Sequence, residues 1–247
     1  MTWDEYCERY FTGRKTNLEY LWKEINPCVY HLSNEDIQWL IQALEDEQRK
    51  WFVAFIVNKA AGGLPKRLKR VLFSPLIRAA VYERNPTLNR YFVEPCVAVF
   101  GYRQVNEALL DLVEQGSNLE KAGAVNALYW ARFRFSFIKS APEYTLEYAT
   151  LESKAAYEAL ADIRLRKQCL FLREFVSNPN LDVRRSIIPN LVLNPSCYAD
   201  ELKPLVLNAI EIASAHSDDY IRHRVEVQLG TECLLKPLPH RETNSES

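Results

Sequence analysis

Apolar residues recur at helical spacing along most of this chain, and polar or glycine-containing breaks separate them into segments of helix length. In residues 34–44 the apolar positions fall at i, i+3, i+4 and i+7, which places them on one face of a helix. Ser33 precedes this stripe and is a suitable N-cap. Because the chain holds only seven glycines and no sustained apolar–polar alternation is evident, the sequence predicts an all-α fold.

The helical segments form a series of pairs. The predicted pairs are 34–44 with 51–57, 68–82 with 88–100, 105–114 with 119–130, 163–176 with 181–193, and 199–215 with 220–229. The second members begin about 30 to 40 residues apart, except for one interval of about 60 residues that contains an insertion. This period is typical of stacked helical hairpins.

The turn between paired helices is repeated in the sequence. Residues 85–89 and 178–182 both read Asn-Pro-x-Leu followed by Asn or Asp. A proline disfavours helical geometry in the residue before it, so Asn-Pro is expected to end the first helix of a pair. Two other prolines, Pro95 and Pro189, lie within predicted second helices, where we expect a kink or a later helix start.

Residues 180–185 and 218–222 share an acidic or Asn turn, a branched residue and an arginine, and residues 119–124 are a weaker copy. This pattern resembles the HEAT or armadillo-like family of helical repeats. The resemblance implies a right-handed α-solenoid of about five HEAT-like helix pairs. Proteins of this kind bind partners through an extended concave surface.

The same pattern predicts the organisation of the chain. The predicted regions are N-terminal capping helices at 1–32, a repeat domain at 33–235 with an insertion at about 134–162, and a disordered tail at 236–247. Two short helices, at 3–11 and 18–25, are expected to cover the first pair, since a solenoid needs a polar-sided cap.

Charge and composition exclude several classes of protein. The formal net charge is −1, so no global positive field attracts nucleic acid or anionic lipid. The start of the chain has no signal-peptide pattern, and the apolar run 51–57 is too short to span a bilayer. The six cysteines are scattered without any C-x-x-C pair, as expected of structural thiols in a reducing compartment. A cytoplasmic location is therefore expected.

The concave helices and the insertion after the third pair are the predicted binding region, since insertions in solenoids often map to the binding face. The predicted partner-binding residues are Tyr129, Trp130, Arg132, Arg134, Tyr144, Arg184, Arg185 and Arg222. Trp, Tyr and Arg supply most hot spots of protein interfaces. The alternative is that the aromatic residues belong to the core and the arginines form ion pairs with neighbouring repeats.

Catalytic and metal-binding patterns are not evident. The carboxylates near the insertion have no specific spacing, and the four histidines form no H-x-x-x-H pair. The paired glycines at 62–63 lack the rest of a phosphate-binding loop. We therefore predict no catalytic residue, no metal site and no cofactor.

The sequence favours a non-catalytic protein-binding adaptor, inhibitor or immunity-type protein, with another protein as its partner. An enzyme on the same scaffold is the alternative. In fold and size the chain resembles bacterial HEAT-like alkylpurine DNA glycosylases, which implies duplex DNA in a basic groove; the neutral net charge argues against it. A bilin lyase-like protein is a further alternative, with no specific residue to support it.

Overall fold

The structure is a computed structural model that is helical almost throughout. It describes residues 1–13, 15–60, 62–138 and 146–230. Helix accounts for 75% of the described residues. Within the described residues the β-type pairing is one isolated bridge, between Phe137 and Ala149. The predicted all-α class is therefore confirmed. The chain divides into two compact units, Met1–Ile163 and Arg164–Ser247.

Thirteen α-helices occur in the described residues. Their bounds are α1 Trp3–Thr12, α2 Lys15–Val29, α3 Asn34–Ala43, α4 Arg49–Lys59, α5 Lys66–Val81, α6 Arg90–Phe100, α7 Tyr102–Gln115, α8 Asn118–Trp130, α9 Leu151–Glu158, α10 Ala161–Ser177, α11 Leu181–Ile187, α12 Lys203–Ser214 and α13 Asp219–Leu229. The first nine helices lie in the first unit, α10 crosses the division, and the last three lie in the second unit.

The first unit is built of helix pairs that pack in sequence order. Helix α3 contacts α4, α5 contacts α6, and α7 contacts α8. The first members also contact one another in order, α3 with α5 and α5 with α7, and so do the second members, α4 with α6 and α6 with α8. Fully buried side chains from successive pairs form a continuous core. They include Phe52, Leu76, Phe92, Leu109 and Leu128.

The N-terminal helices pack onto the first pair. Helix α1 contacts α4, and its Trp3 indole N–H donates to Asp36 Oδ1 of α3 at 2.7 Å. Trp3 also stacks on Trp39, with ring centroids 6.2 Å apart. Helix α2 extends from Lys15 to Val29, well beyond the predicted 18–25. Both predicted N-terminal helices are present.

Capping side chains and glycines fix several helix ends. Ser33 is the N-cap of α3, as predicted, and forms a capping box with Asp36. Ser117 and Glu120 form the same box at the start of α8. Gly101 closes α6 with φ of +87°, and Gly230 closes α13 with φ of +83°, a region that glycine adopts without strain.

The repeated Asn-Pro turn has the same local geometry in both copies. Asn85 Oδ1 accepts the backbone N–H of Thr87 at 3.1 Å, and Asn178 Oδ1 accepts that of Asn180 at 2.9 Å. Each asparagine thus closes an Asx turn across the following proline. The predicted turn is therefore present in both units.

Two predicted second helices have different bounds. Helix α6 begins at Arg90 rather than Leu88, because the preceding residues form a turn. The helix predicted over 181–193 was wrong in its second half: α11 ends at Ile187 and a 3-10 turn follows. Pro189 has no N–H for the next helical hydrogen bond, and its ring excludes regular helix there.

The second unit comprises most of α10 and the helices α11 to α13. Helix α13 packs on both α11 and α12. The buried side chains of the second unit come from all four helices and include Phe171, Phe175, Val183, Val206 and Ile221. The predicted disordered tail at 236–247 lies outside the described residues. No helix among the described residues is both long and apolar enough to cross a bilayer.

Helix α8 lies directly against α5 at Gly123. A Cβ atom added there would lie 2.0 Å from the backbone oxygen of Val81, the last residue of α5. No side chain fits at this position without moving one helix relative to the other. Gly123 therefore sets the separation of α5 and α8.

We expect Gly123→Ala to destabilise the first unit by roughly 1–3 kcal/mol, as overpacking of a core does. Gly62→Ala is the matched control, because a Cβ at Gly62 meets nothing within 4 Å. Urea unfolding followed by circular dichroism measures both variants. Equal unfolding midpoints for the two variants would contradict the close contact.

Candidate functional site

After α8 the chain forms an extended arm, residues 132–138. Along it Phe133, Phe135 and Phe137 are half-buried, whereas the arginines between and before them are exposed. This short alternation is typical of a strand, but within the described residues the arm makes only the isolated bridge between Phe137 and Ala149. The insertion predicted at about 134–162 begins in this arm.

The arm phenylalanines pack against two tyrosines from neighbouring helices. The ring of Phe133 lies 5.9 Å from Tyr102 of α7 and 5.6 Å from Tyr157 of α9, and Phe135 lies 4.9 Å from Tyr157. These are favourable separations for aromatic pairs. The aromatic cluster holds one side of the arm against the helices.

Backbone hydrogen bonds hold the far end of the arm. Ile138 N–H donates to the Tyr148 oxygen at 3.0 Å, and Thr150 N–H donates to the Ser136 oxygen at 2.8 Å. Ser136 N–H in turn donates to Ser153 Oγ at 3.0 Å. The arm is therefore fixed by both its side chains and its backbone.

The point where α8 ends is held by a buried asparagine. Asn106 of α7 is fully buried, and its Nδ2 donates to the backbone oxygens of Tyr102 at 3.0 Å and Ala131 at 3.2 Å. The Ala131 carbonyl lies at the end of α8, where a carbonyl has no partner within the helix. The hydrogen bond from Asn106 therefore pairs a carbonyl that burial would otherwise leave unpaired. Asn106 thereby fixes where the arm leaves α8.

The two aromatic residues at the end of α8 take different positions. Trp130 is half-buried, and its indole N–H donates to the Pro86 oxygen at 2.8 Å in the turn before α6. Tyr129 is 43% exposed, and the Arg132 guanidinium lies 3.7 Å from its ring centroid. Trp130 is thus anchored by packing and hydrogen bonding, whereas Tyr129 and Arg132 form an exposed cation–π pair.

Three of the predicted residues line one small pocket, which we call the α6–α8 pocket. Its lining residues are Glu94, Val97, Ala98, Trp130, Arg132 and Arg134. The Arg134 guanidinium lies 2.7 Å from Glu94 Oε1 across it. The volume is about 110 Å³, well below the roughly 300–1,000 Å³ of sites that enclose a drug-sized molecule. A pocket of this volume holds about one amino-acid side chain.

The surface beside the pocket contains residues that the sequence prediction missed. Arg90 lies over the rings of Tyr91 at 4.8 Å and Trp130 at 5.9 Å, and it donates a hydrogen bond to the Tyr91 hydroxyl. Tyr91 packs edge-on against Trp51 of α4. The sequence signal that could have identified Arg90 and Tyr91 is an Arg-Tyr pair directly after an Asn-Pro turn, at the start of a second helix.

The other predicted arginines lie in the second unit and contact their own neighbours. Arg184 Nε donates to the Phe175 oxygen at 3.1 Å, and Arg222 donates to the His216 oxygen at 2.6 Å. Arg222 also forms an ion pair with Asp219. Both side chains thus bind backbone oxygens within the second unit.

Arg185 joins the two pairs of the second unit. Its guanidinium lies 2.5 Å from Asp218 Oδ2, and this bond lowers the pKa of Asp218. Asp218 is also the N-cap of α13. This is the ion-pairing alternative raised by the sequence. Tyr144 lies outside the described residues.

Chemically reactive groups are not gathered in the described residues. No group of three His, Cys, Asp or Glu side chains there could hold a metal ion. Burial raises the pKa of Cys7 to about 11 and also raises that of the fully buried Cys96, so both are neutral thiols at physiological pH.

A bidentate ion pair connects α7 to the end of the insertion. The Arg103 guanidinium lies 2.7 Å from Asp162 Oδ2 and 2.9 Å from Oδ1, and it donates to the Ala159 oxygen at 2.8 Å. The hydrogen bond from Arg103 lowers the pKa of Asp162 to about 2. This contact fixes the return of the insertion to the helices.

No protein-family model matches this chain, and the comparison with curated protein sequences finds no significantly similar one.

We expect Arg103→Ala to raise the pKa of Asp162 from about 2 toward its ordinary value of 3.8. Because the folded-state pKa is depressed, the ion pair stabilises the fold above about pH 4 and loses that effect as the pH falls toward 2. An NMR titration of the Asp162 carboxyl carbon measures the shift. Glu107→Gln is the control, since Glu107 contacts the same guanidinium at 3.3 Å. This variant should leave the pKa of Asp162 at about 2. An unchanged Asp162 pKa in Arg103→Ala would contradict this assignment.

Proposed function

We propose that this chain is a non-catalytic protein-binding protein of HEAT-like helical repeats, an adaptor, inhibitor or immunity-type protein. We further propose that its partner binds over the α6–α8 pocket. A cytoplasmic location is part of the same proposal.

Helix packing in the first unit supports the repeat architecture. First members contact first members and second members contact second members, which is how stacked helical hairpins pack. Tyr91 of α6 and Tyr129 of α8 are exposed, and Tyr91 packs against the half-buried Trp51 of α4. A row of second helices is the surface through which we propose the chain binds.

The observation that carries the binding proposal is the composition of the surface around the α6–α8 pocket. Guanidinium groups of Arg90 and Arg132 lie on aromatic rings, and Arg134 lies against Glu94. Arginine and aromatic side chains in this combination are enriched in protein interfaces. Duplex DNA requires a continuous positive groove, whereas the charge of this surface is mixed. The mixed charge therefore favours a protein partner over duplex DNA.

The decisive variant reverses the charge at the pocket rim, Arg132→Glu with Arg134→Glu. We expect it to lose a stable protein partner captured by the wild-type chain from its source cells, with affinity reduced about 30-fold or more, as for interface hot spots. Quantitative mass spectrometry of the captured proteins measures this loss.

The matched control is Lys66→Glu with Arg70→Glu, which makes the same change of charge at exposed positions of α5. It should retain the partner. Equal capture by both double variants would contradict the proposed surface. Salt-sensitive binding of duplex DNA without any protein partner would favour the glycosylase alternative instead.

A further inference from the structure

The α6–α8 pocket is lined partly by apolar side chains and has charged side chains at its rim. Val97 and Ala98 of α6 form the apolar part, and Trp130 forms one wall. The indole is held by its bond to the Pro86 oxygen, so the wall exists before any partner binds. A preformed apolar pocket of this size suits a single apolar side chain, because binding there costs little reorganisation.

The rim carries more positive than negative charge. Arg132, Arg134 and Glu94 line the pocket, and Arg90 lies beside it over the Trp130 ring. Together these four side chains carry an excess of two positive charges. Arg134 pairs with Glu94. Within the described residues Arg132 donates no hydrogen bond, and its guanidinium is held on the Tyr129 ring with its edge available.

These guanidiniums are also preorganised for carboxylates. A planar guanidinium offers paired N–H donors that match a carboxylate, and stacking on an aromatic ring limits the freedom it loses on binding. Arg90 is stacked in the same way on Tyr91 and Trp130. Two stacked arginines therefore lie beside one apolar pocket.

We infer that the α6–α8 pocket binds an acidic peptide segment in which one apolar side chain is flanked by aspartate or glutamate. The apolar side chain enters the pocket between Val97, Ala98 and Trp130, and the flanking carboxylates pair with Arg132 and Arg90. This inference rests on the proposed protein-binding function and specifies the chemistry of the partner.

Other occupants fit less well. A drug-sized molecule exceeds the volume of about 110 Å³. Duplex DNA is bound through many phosphate contacts along a positive surface, whereas the chain as a whole carries a formal charge of −1. A peptide carboxylate can instead approach Arg132 while Glu94 stays paired with Arg134.

The test uses the full chain and a blocked synthetic peptide in which glutamates flank a single leucine. Binding is followed by NMR at the Trp130 indole N–H, whose signal is assigned with the variant Trp130→Phe. We expect saturable shifts with a Kd on the order of 0.1–1 mM at low salt, weakened by added salt because the charges are exposed. A peptide with glycine in place of leucine should bind at least about 10-fold more weakly.

Charge reversal separates recognition from folding. Arg132→Glu with Arg134→Glu changes the rim from an excess of two positive to an excess of two negative charges. We expect this variant to prefer the counterpart peptide in which lysines replace the glutamates, while Lys66→Glu with Arg70→Glu keeps the wild-type preference. A misfolded variant would bind neither peptide, so a reversed preference also demonstrates that the fold is intact.

Ala98→Phe tests the apolar part without any change of charge. The larger side chain fills the pocket and should reduce binding of the leucine peptide to that of the glycine peptide.

Three outcomes would overturn the inference. These are no shift of the Trp130 indole with any peptide up to about 5 mM, equal shifts with acidic and basic peptides, and stronger binding of a DNA duplex than of the acidic peptide. If the peptides fail but charge reversal still abolishes capture of a protein partner, the inferred peptide chemistry is wrong and the proposed function stands. If the peptides bind as expected and no protein is captured, the proposed function is wrong.

Discussion

The close contact between α8 and α5 is the constraint on which the surface depends. Gly123 places α8 directly against the carbonyl of Val81, and the Trp130 indole bonds to the Pro86 oxygen just beyond α5. The contact at Gly123 leaves no room for a side chain, and the contact at Pro86 requires the indole N–H of Trp130 as donor. Together they fix both the distance and the register of α8, and so where it ends.

The pocket follows from that end point through the periodicity of an extended chain. Asn106 holds the carbonyl of Ala131, and the next residues run extended, so alternate side chains point to opposite sides. Phe133 packs toward Tyr102 and Tyr157, which leaves the arginines on either side of it facing outward. The half-buried aromatic cluster and the exposed guanidiniums are two faces of the same arm. Substitutions in the cluster would therefore change where the guanidiniums lie.

Local sequence signals predicted the helices well because each depends on a few neighbouring residues. The apolar stripe after Ser33 is helix α3, with Ser33 as its N-cap. The two Asn-Pro segments form turns, and Gly101 and Gly230 end their helices. The box formed by Ser117 and Glu120 follows the S-x-x-E signature and was available in the sequence. Pro189 was correctly singled out, although it ends the regular helix rather than bending it.

The site was only partly predictable because its pairings are not local. Trp130 and Arg134 were predicted from their residue types, yet their partners, Pro86 and Glu94, lie about 40 residues earlier in the chain. A single sequence contains no signal that links such distant positions. The arm was missed for another reason, since its aromatic–polar alternation is short and lies between long helices.

The central claim is that a partner protein covers the α6–α8 pocket, and hydrogen–deuterium exchange of the captured complex tests it most directly. Backbone amides in residues 90–98 and 129–136 should gain protection on complex formation, whereas those in the first turn of α5, residues 66–70, should not change. Protection confined to other helices, with none around Arg132, would contradict the account.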